Sequence, residues 1–137
     1  MKNIYHIFYA VNYWITTAIF RNKKDEPEFA TTISVTLFVF LFLITLLDMV
    51  FFHFFHNREI VINKLNKNVY FIIITIILIF NYKYFSSIKI KKILREFENL
   101  ENYKKHIYKI IIVCFELLIL LGAFFTAQSI SDNYFWF

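Results

Sequence analysis

Residues 29–47 read FATTISVTLFVFLFLITLL and contain no charged side chain. The apolar character continues beyond them through several phenylalanines. An α-helix needs about 20 mostly apolar residues to cross roughly 30 Å of hydrocarbon. The stretch exceeds this length, so it predicts a membrane span over residues 31–55 whose register is loose.

The composition favours a membrane protein over a soluble domain. Of the 137 residues, 59% are hydrophobic, 22% are aromatic and only 18% are charged, whereas about a quarter of an ordinary soluble domain is charged. The single cysteine, Cys114, excludes an internal disulfide and a multi-cysteine metal site. Residues 1–20 lack the features of a signal peptide, so we expect them to be retained.

A second span is predicted over residues 68–85. The run NVYFIIITIILIFNY is uncharged but shorter than the ~20 residues of an ordinary span, so a buried helix of a soluble core is the alternative. Lys67 and Lys83 flank the run and can extend their ammonium groups to the interface. Tyrosines at its end suit an interfacial aromatic belt.

A third span is predicted over residues 108–129, where Glu116 interrupts the apolar run that begins at Ile110. Between the second and third spans, residues 86–106 carry apolar side chains at intervals of three and four, which is the period of an amphipathic helix. We predict a basic amphipathic helix there, on the cytoplasmic side of the membrane.

Residues 4–20, IYHIFYAVNYWITTAIF, predict a further amphipathic helix. Its apolar side chains lie on one face, and Asn12 and Thr16 lie with other polar side chains on the opposite face. Its tyrosines and tryptophan, with few leucines, suit the headgroup region better than the bilayer centre. We expect a helix that lies on the membrane, and a fourth span is the alternative.

The basic residues predict the orientation. Four Lys or Arg residues precede span 1 and eight lie between spans 2 and 3, against three between spans 1 and 2 and none after span 3. Because cytoplasmic loops carry the excess of Lys and Arg, the N-terminus is predicted inside and the C-terminus outside. The expected fold is an all-α integral membrane protein, a single membrane domain over residues 1–137 with three transmembrane helices.

Two acidic side chains fall within the predicted spans. Glu116 lies roughly 12 Å from the cytoplasmic edge of span 3, where an ionised carboxylate costs at least a few kcal/mol. Asp48 lies about 22 Å along span 1, unless that span ends early and leaves it at the outer interface. Their depths differ by roughly 10 Å, so each is expected to contact a partner helix; a proton path is the alternative.

The surroundings of Glu116 predict a helix contact. Ala123 and Ala127 share its helical face in a pattern of small residues that permits close approach of helices. In the opposite-running second span, Asn81 falls at a similar depth, with Lys83 nearer the cytoplasm. We therefore predict an Asn81–Glu116 hydrogen bond reinforced by Lys83.

Six basic side chains of the cytoplasmic segment are predicted to contact anionic lipid headgroups: Lys89, Lys91, Lys92, Arg95, Lys104 and Lys105. Glutamates are interspersed among them, and no RNA-binding motif places aromatic residues between them. The segment therefore predicts a solvated helix next to the membrane and no contact with nucleic acid.

The sequence predicts no catalytic residue, cofactor or metal. His53 and His56 are expected at the outer interface, because a metal site needs further ligands and only Glu59 lies nearby. The single glycine excludes a phosphate-binding glycine loop. The aromatic residues 133–137, NYFWF, are expected to anchor the chain at the interface.

Two functions are compatible with these observations. The first is a non-enzymatic accessory or structural subunit of a larger assembly in the cytoplasmic (inner) membrane, whose partners are lipids and other membrane proteins. It rests on the small soluble fraction and the absence of catalytic motifs. The alternative is a homo-oligomeric pore that conducts ions or protons along Asp48 and Glu116.

Overall fold

A computed structural model describes residues 3–19, 27–54 and 67–132, and within these ranges the chain is helical and forms no strand. The helices are α1 (Ile4–Ile19), α2 (Pro27–Met49) with a π-helical turn (Val50–Phe54), α3 (Lys67–Tyr84), α4 (Ser87–Glu98) and α5 (Asn102–Asp132). Some predictions lie outside the described residues: the charges Lys2, Arg21, Lys23, Lys24, Arg58 and Lys64, the loop residues His56 and Glu59, and the tail 133–137.

Two helices, α2 and α5, are long and apolar enough to cross a membrane. Helices α3 and α4 meet the same measure only when taken together, and the chain bends by 74° between them. The prediction of a helical membrane protein is thus confirmed at two or three spans. The exact number of spans and the orientation remain predictions.

The predicted cytoplasmic helix over 86–106 is two elements. Helix α4 ends at Glu98, the backbone N–H of Asn99 donates to the carbonyl of Arg95, and α5 begins at Asn102. Residues 102–106 therefore belong to α5, which continues without interruption into the apolar stretch that was predicted as the third span.

Helix α2 is the central helix and contacts α1, α3 and α5. Helix α1 packs against α2, α4 and α5. The main hydrophobic core combines α1 residues such as Tyr9 and Val11 with Val35 of α2 and with Ile93 of α4. The apolar side of α4 therefore faces protein.

Burial corrects the expected environment of α1. Asn12 and Thr16, which the sequence assigns to an outward polar face, are both buried, whereas Ile4 of the apolar face is 70% exposed. The apolar face is buried as well, since Ile7 and Val11 are 5% and 0% exposed, so α1 packs against other helices on both its polar and its apolar side. Amphipathic periodicity does not distinguish a polar face that meets water from one that meets polar groups of other helices.

Candidate functional site

A buried polar cluster joins α1, α2 and α5 around Glu116. The Glu116 side chain is 7% exposed, and Asn12 Nδ2 donates a hydrogen bond of 2.6 Å to its Oε1 atom. Ser34 Oγ of α2 donates to Asn12 Oδ1 over 3.1 Å. Asn12 therefore connects three helices through one amide, and the carboxylate receives a partner within the chain.

A second set of hydrogen bonds surrounds Asn81 of α3. The Tyr5 hydroxyl of α1 donates to Asn81 Oδ1, and Asn81 Nδ2 donates to Thr36 Oγ1 of α2 over 2.9 Å. Thr36 Oγ1 donates in turn to the carbonyl of Thr32 over 2.7 Å. This group links α1, α2 and α3, and its donors and acceptors are all neutral.

Tyr9 lies between these two sets on the same face of α1. Its hydroxyl donates to the carbonyl of Glu28 over 3.2 Å and lies 3.5 Å from Thr32 Oγ1. Its ring stacks on Phe85 with 4.1 Å between centroids. The α1 helix thus makes polar contacts with its neighbours from Tyr5 to Asn12.

The predicted Asn81–Glu116 hydrogen bond is wrong. Asn81 bonds to Tyr5 and Thr36, and Glu116 bonds to Asn12. The physical reason is the position of α1, which supplies a partner to each of them. Lys83 is exposed and forms no ion pair among the described residues.

The small-residue face of α5 is partly as predicted. Ala123 is half-buried, but Ala127 is exposed, and Thr126 and Ser129 are buried in its place. Gly122 faces α2, since a Cβ atom added there would lie 3.8 Å from the side chain of Thr45, an ordinary van der Waals contact. The stripe of α5 that meets other helices is therefore turned slightly away from the one that simple spacing predicts.

Asp48 is separate from the Glu116 cluster. It lies fourteen residues beyond Ser34, so about 21 Å further along α2 at 1.5 Å per residue. Its Oδ1 atom is buried and has no hydrogen-bond partner among the described residues. The structure therefore does not bring the two predicted acids together as one site.

The π-helical turn directly follows α2 and contains His53, whose exposed fraction is 0%. Its ring is buried and lies edge-on to Phe52 with 4.9 Å between centroids, and its position at the outer interface stays a prediction. The described residues contain no group of three or more side chains able to hold a metal ion.

The six basic residues predicted to meet lipid have different environments. Lys91, Lys92 and Arg95 are exposed on the side of α4 opposite to its buried residues. Lys89 lies over the Tyr84 ring at 3.1 Å, so it is directed toward the end of α3. Lys105 is half-buried. Contact of these residues with lipid stays a prediction.

Two groups have lowered pKa values, Glu101 between α4 and α5 and His6 near the start of α1. Lys104 Nζ lies 2.7 Å from Glu101 Oε2 in an exposed ion pair, and the hydrogen bond from Lys104 lowers the pKa of Glu101. Partial burial, followed by the positive charge of Lys89, lowers the pKa of His6, whose Nε2 atom lies 3.2 Å from the Tyr84 hydroxyl.

The sequence-based interpretation missed Tyr5, Tyr9 and Asn12 as partners of the buried polar residues. A signal was present, because Tyr5, Tyr9, Asn12 and Thr16 repeat at intervals of four, three and four and so form one helical stripe.

Comparisons with protein-family models, curated protein sequences and solved structures give no match.

Proposed function

We propose that this chain is a non-enzymatic accessory or structural subunit of a larger protein assembly in the cytoplasmic membrane. The observation that carries the proposal is that Glu116 is buried and hydrogen-bonded within its own chain. A carboxylate that lines a pore needs access to water, whereas Glu116 is 7% exposed and is bonded by Asn12 of the same chain. Its role is then to hold α1 against α5.

The outer surfaces of the helices support a role in assembly. Large apolar side chains are exposed along α3 and α5, including Phe71 at 71% and Leu118 at 66%. Such surfaces are satisfied by lipid or by the helices of neighbouring subunits. The polar groups that join α1, α2 and α3 or α5 bond to one another and leave these faces free for partners.

Asp48 is the residue expected to meet a partner. Its buried Oδ1 atom has no hydrogen-bond partner among the described residues, and a buried polar atom without one costs about 1–3 kcal/mol. A donor from a neighbouring subunit would relieve that cost. The alternative is that copies of this chain surround a pore lined by Asp48, whose side chain, unlike that of Glu116, is only half-buried.

The test is affinity purification of the tagged full-length chain from its native membrane in mild detergent, followed by native mass spectrometry. We expect a hetero-complex of fixed stoichiometry with the wild type and loss of that partner in Asp48→Leu, which removes the acceptor. The matched control is Glu98→Leu, which makes the same change at an exposed acid on α4 and should leave the complex intact.

A different outcome would contradict the proposal. If the chain is recovered alone or as a ring of identical copies, and if planar bilayers containing it conduct ions, the pore alternative is correct. Conductance that disappears in Asp48→Asn while the ring persists would assign the path to that residue. A subunit is expected to show no conductance by itself.

A further inference from the structure

An apolar cavity of about 320 Å³ lies between α1, α2 and α5. Its walls include Ile4 and Phe8 of α1, Val39 and Phe42 of α2, and Ile112 of α5. Tyr5 also contributes to the wall, but its hydroxyl donates to Asn81. The cavity therefore presents hydrocarbon and aromatic surface on all its described sides.

A cavity of this size and chemistry suits an apolar occupant. Protein interiors are packed as densely as organic crystals, and apolar cavities stay dry and bind apolar molecules. The volume falls within the range of about 300–1,000 Å³ that is usual for ligand pockets. An apolar groove of this size that is open on one side therefore favours an apolar molecule over water.

The cavity opens toward the surroundings of the helices. Phe42 and Phe115 at its wall are each more than a third exposed. Two of the three wall helices, α2 and α5, are those long and apolar enough to cross a membrane. The medium at this opening is therefore lipid hydrocarbon.

Positive charge lies at one end of the same face of α5. Lys104 precedes the wall residue Ile111 by seven residues, which is about 10 Å along the helix and close to the same helical direction. Its ion pair with Glu101 is exposed, and such pairs contribute only about 0–1 kcal/mol. A phosphate can therefore replace Glu101 as its partner, and half-buried Lys105 is adjacent.

We propose that this cavity binds one acyl chain of an anionic phospholipid from the surrounding bilayer, with the headgroup phosphate near Lys104 and Lys105. The bound lipid completes the packing between α1, α2 and α5. This site is independent of the proposed role as a subunit, because it requires only that the chain lies in a membrane.

The test places the full-length chain in nanodiscs of phosphatidylglycerol and phosphatidylcholine. The chain is then released from the nanodiscs and analysed by native mass spectrometry. We expect one phospholipid to remain bound to each wild-type chain under activation. Val39→Phe with Ile112→Phe fills the cavity and should abolish that retention. Leu37→Phe with Leu118→Phe adds the same groups at exposed positions and should leave it unchanged.

The charge is tested separately. Lys104→Gln with Lys105→Gln should keep a bound lipid but lose the preference for phosphatidylglycerol over phosphatidylcholine. Retention of lipid by the filled variant as strongly as by the wild type would overturn the proposal, as would a wild type that retains none.

A measurement on the wild type covers the case in which the filled variant does not fold. A phospholipid with a diazirine in its acyl chain is added, excess lipid is removed by detergent exchange, and the sample is irradiated. Cross-links should concentrate on residues 38–42 and 111–119. Cross-links spread evenly over the exposed face of α5 would contradict a specific site.

Discussion

Asn12 offsets the cost of placing Glu116 in an apolar environment. An acidic side chain at the centre of a membrane helix costs about 2.5–3.5 kcal/mol on insertion scales. A hydrogen bond to a charged group contributes about 1.5–3 kcal/mol, which is a similar magnitude. The 2.6 Å bond between Asn12 and Glu116 therefore accounts for why the acid can be buried on α5.

Replacing Asn12 with leucine should destabilise the protein by about 1–3 kcal/mol, because Glu116 then lacks its partner. Glu116→Gln should cost less, since its amide can still pair with Asn12. Unfolding titrations in detergent measure both changes, with Leu118→Ala as the exposed control. Equal stability of Asn12→Leu and wild type would show that the bond contributes nothing.

Asn81 and Glu116 should behave as independent sites. Because they share no hydrogen-bond partner, the effects of Asn81→Leu and Glu116→Leu should add to within about 0.5 kcal/mol. Asn81→Leu and Tyr5→Phe should instead be coupled, since they remove the same bond. Strong coupling between Asn81 and Glu116 in a double-mutant cycle would contradict this expectation and support the direct hydrogen bond that the sequence predicts.

At the scale of elements, the sequence predicts that the helices exist. It does not predict the environment of α1. The uncharged run at 29–47 predicts α2 because a lone segment in hydrocarbon can satisfy its backbone only as a helix. The packing of α1 against α2, α4 and α5 depends on contacts between distant residues. Its periodicity predicts a face but does not identify what that face meets.

Helix α4 should depend on its packing against α1. Ile93 is 1% exposed and Ile88 is 85% exposed in the same helix, so they form a matched pair for substitution by alanine. Ile93→Ala should cost about 2–5 kcal/mol and increase hydrogen exchange over residues 88–98. Ile88→Ala should change neither, and equal effects of the two would show that α4 does not pack as described.

At the scale of the whole molecule, the number of spans decides which side of the membrane α4 occupies. With the N-terminus inside, three spans place α4 inside and the end of α5 outside, whereas two spans reverse both. Single cysteines at Arg95 and Asp132 in a Cys114→Ala background test this with a membrane-impermeant maleimide in intact cells.

We expect labelling at position 132 from outside and at position 95 only after permeabilisation. The reverse pattern, with position 95 labelled from outside and position 132 protected, would contradict three spans with the N-terminus inside. Labelling of both positions from outside would show that α5 does not cross the membrane.

The candidate site was only partly predictable. Glu116 is identified because charge in an apolar run is costly, and Asn81 because it is polar in a similar run. Their partners were not predicted, since Asn12 and Tyr5 belong to a helix that the sequence places outside the bundle. The contact of Gly122 with Thr45 of α2 was likewise not predicted, because it depends on how the two helices pack.

The hydrogen bond between Asn12 and Glu116 also imposes an order on biogenesis. The two residues are separated by 104 positions, and ribosomes add about 5–20 residues per second. Helix α1 therefore waits roughly 5–20 s for the carboxylate that it will bind. The bond that joins α1 to α5 can thus form only after synthesis has passed Glu116, so the docking of α1 completes late in the assembly of the helices.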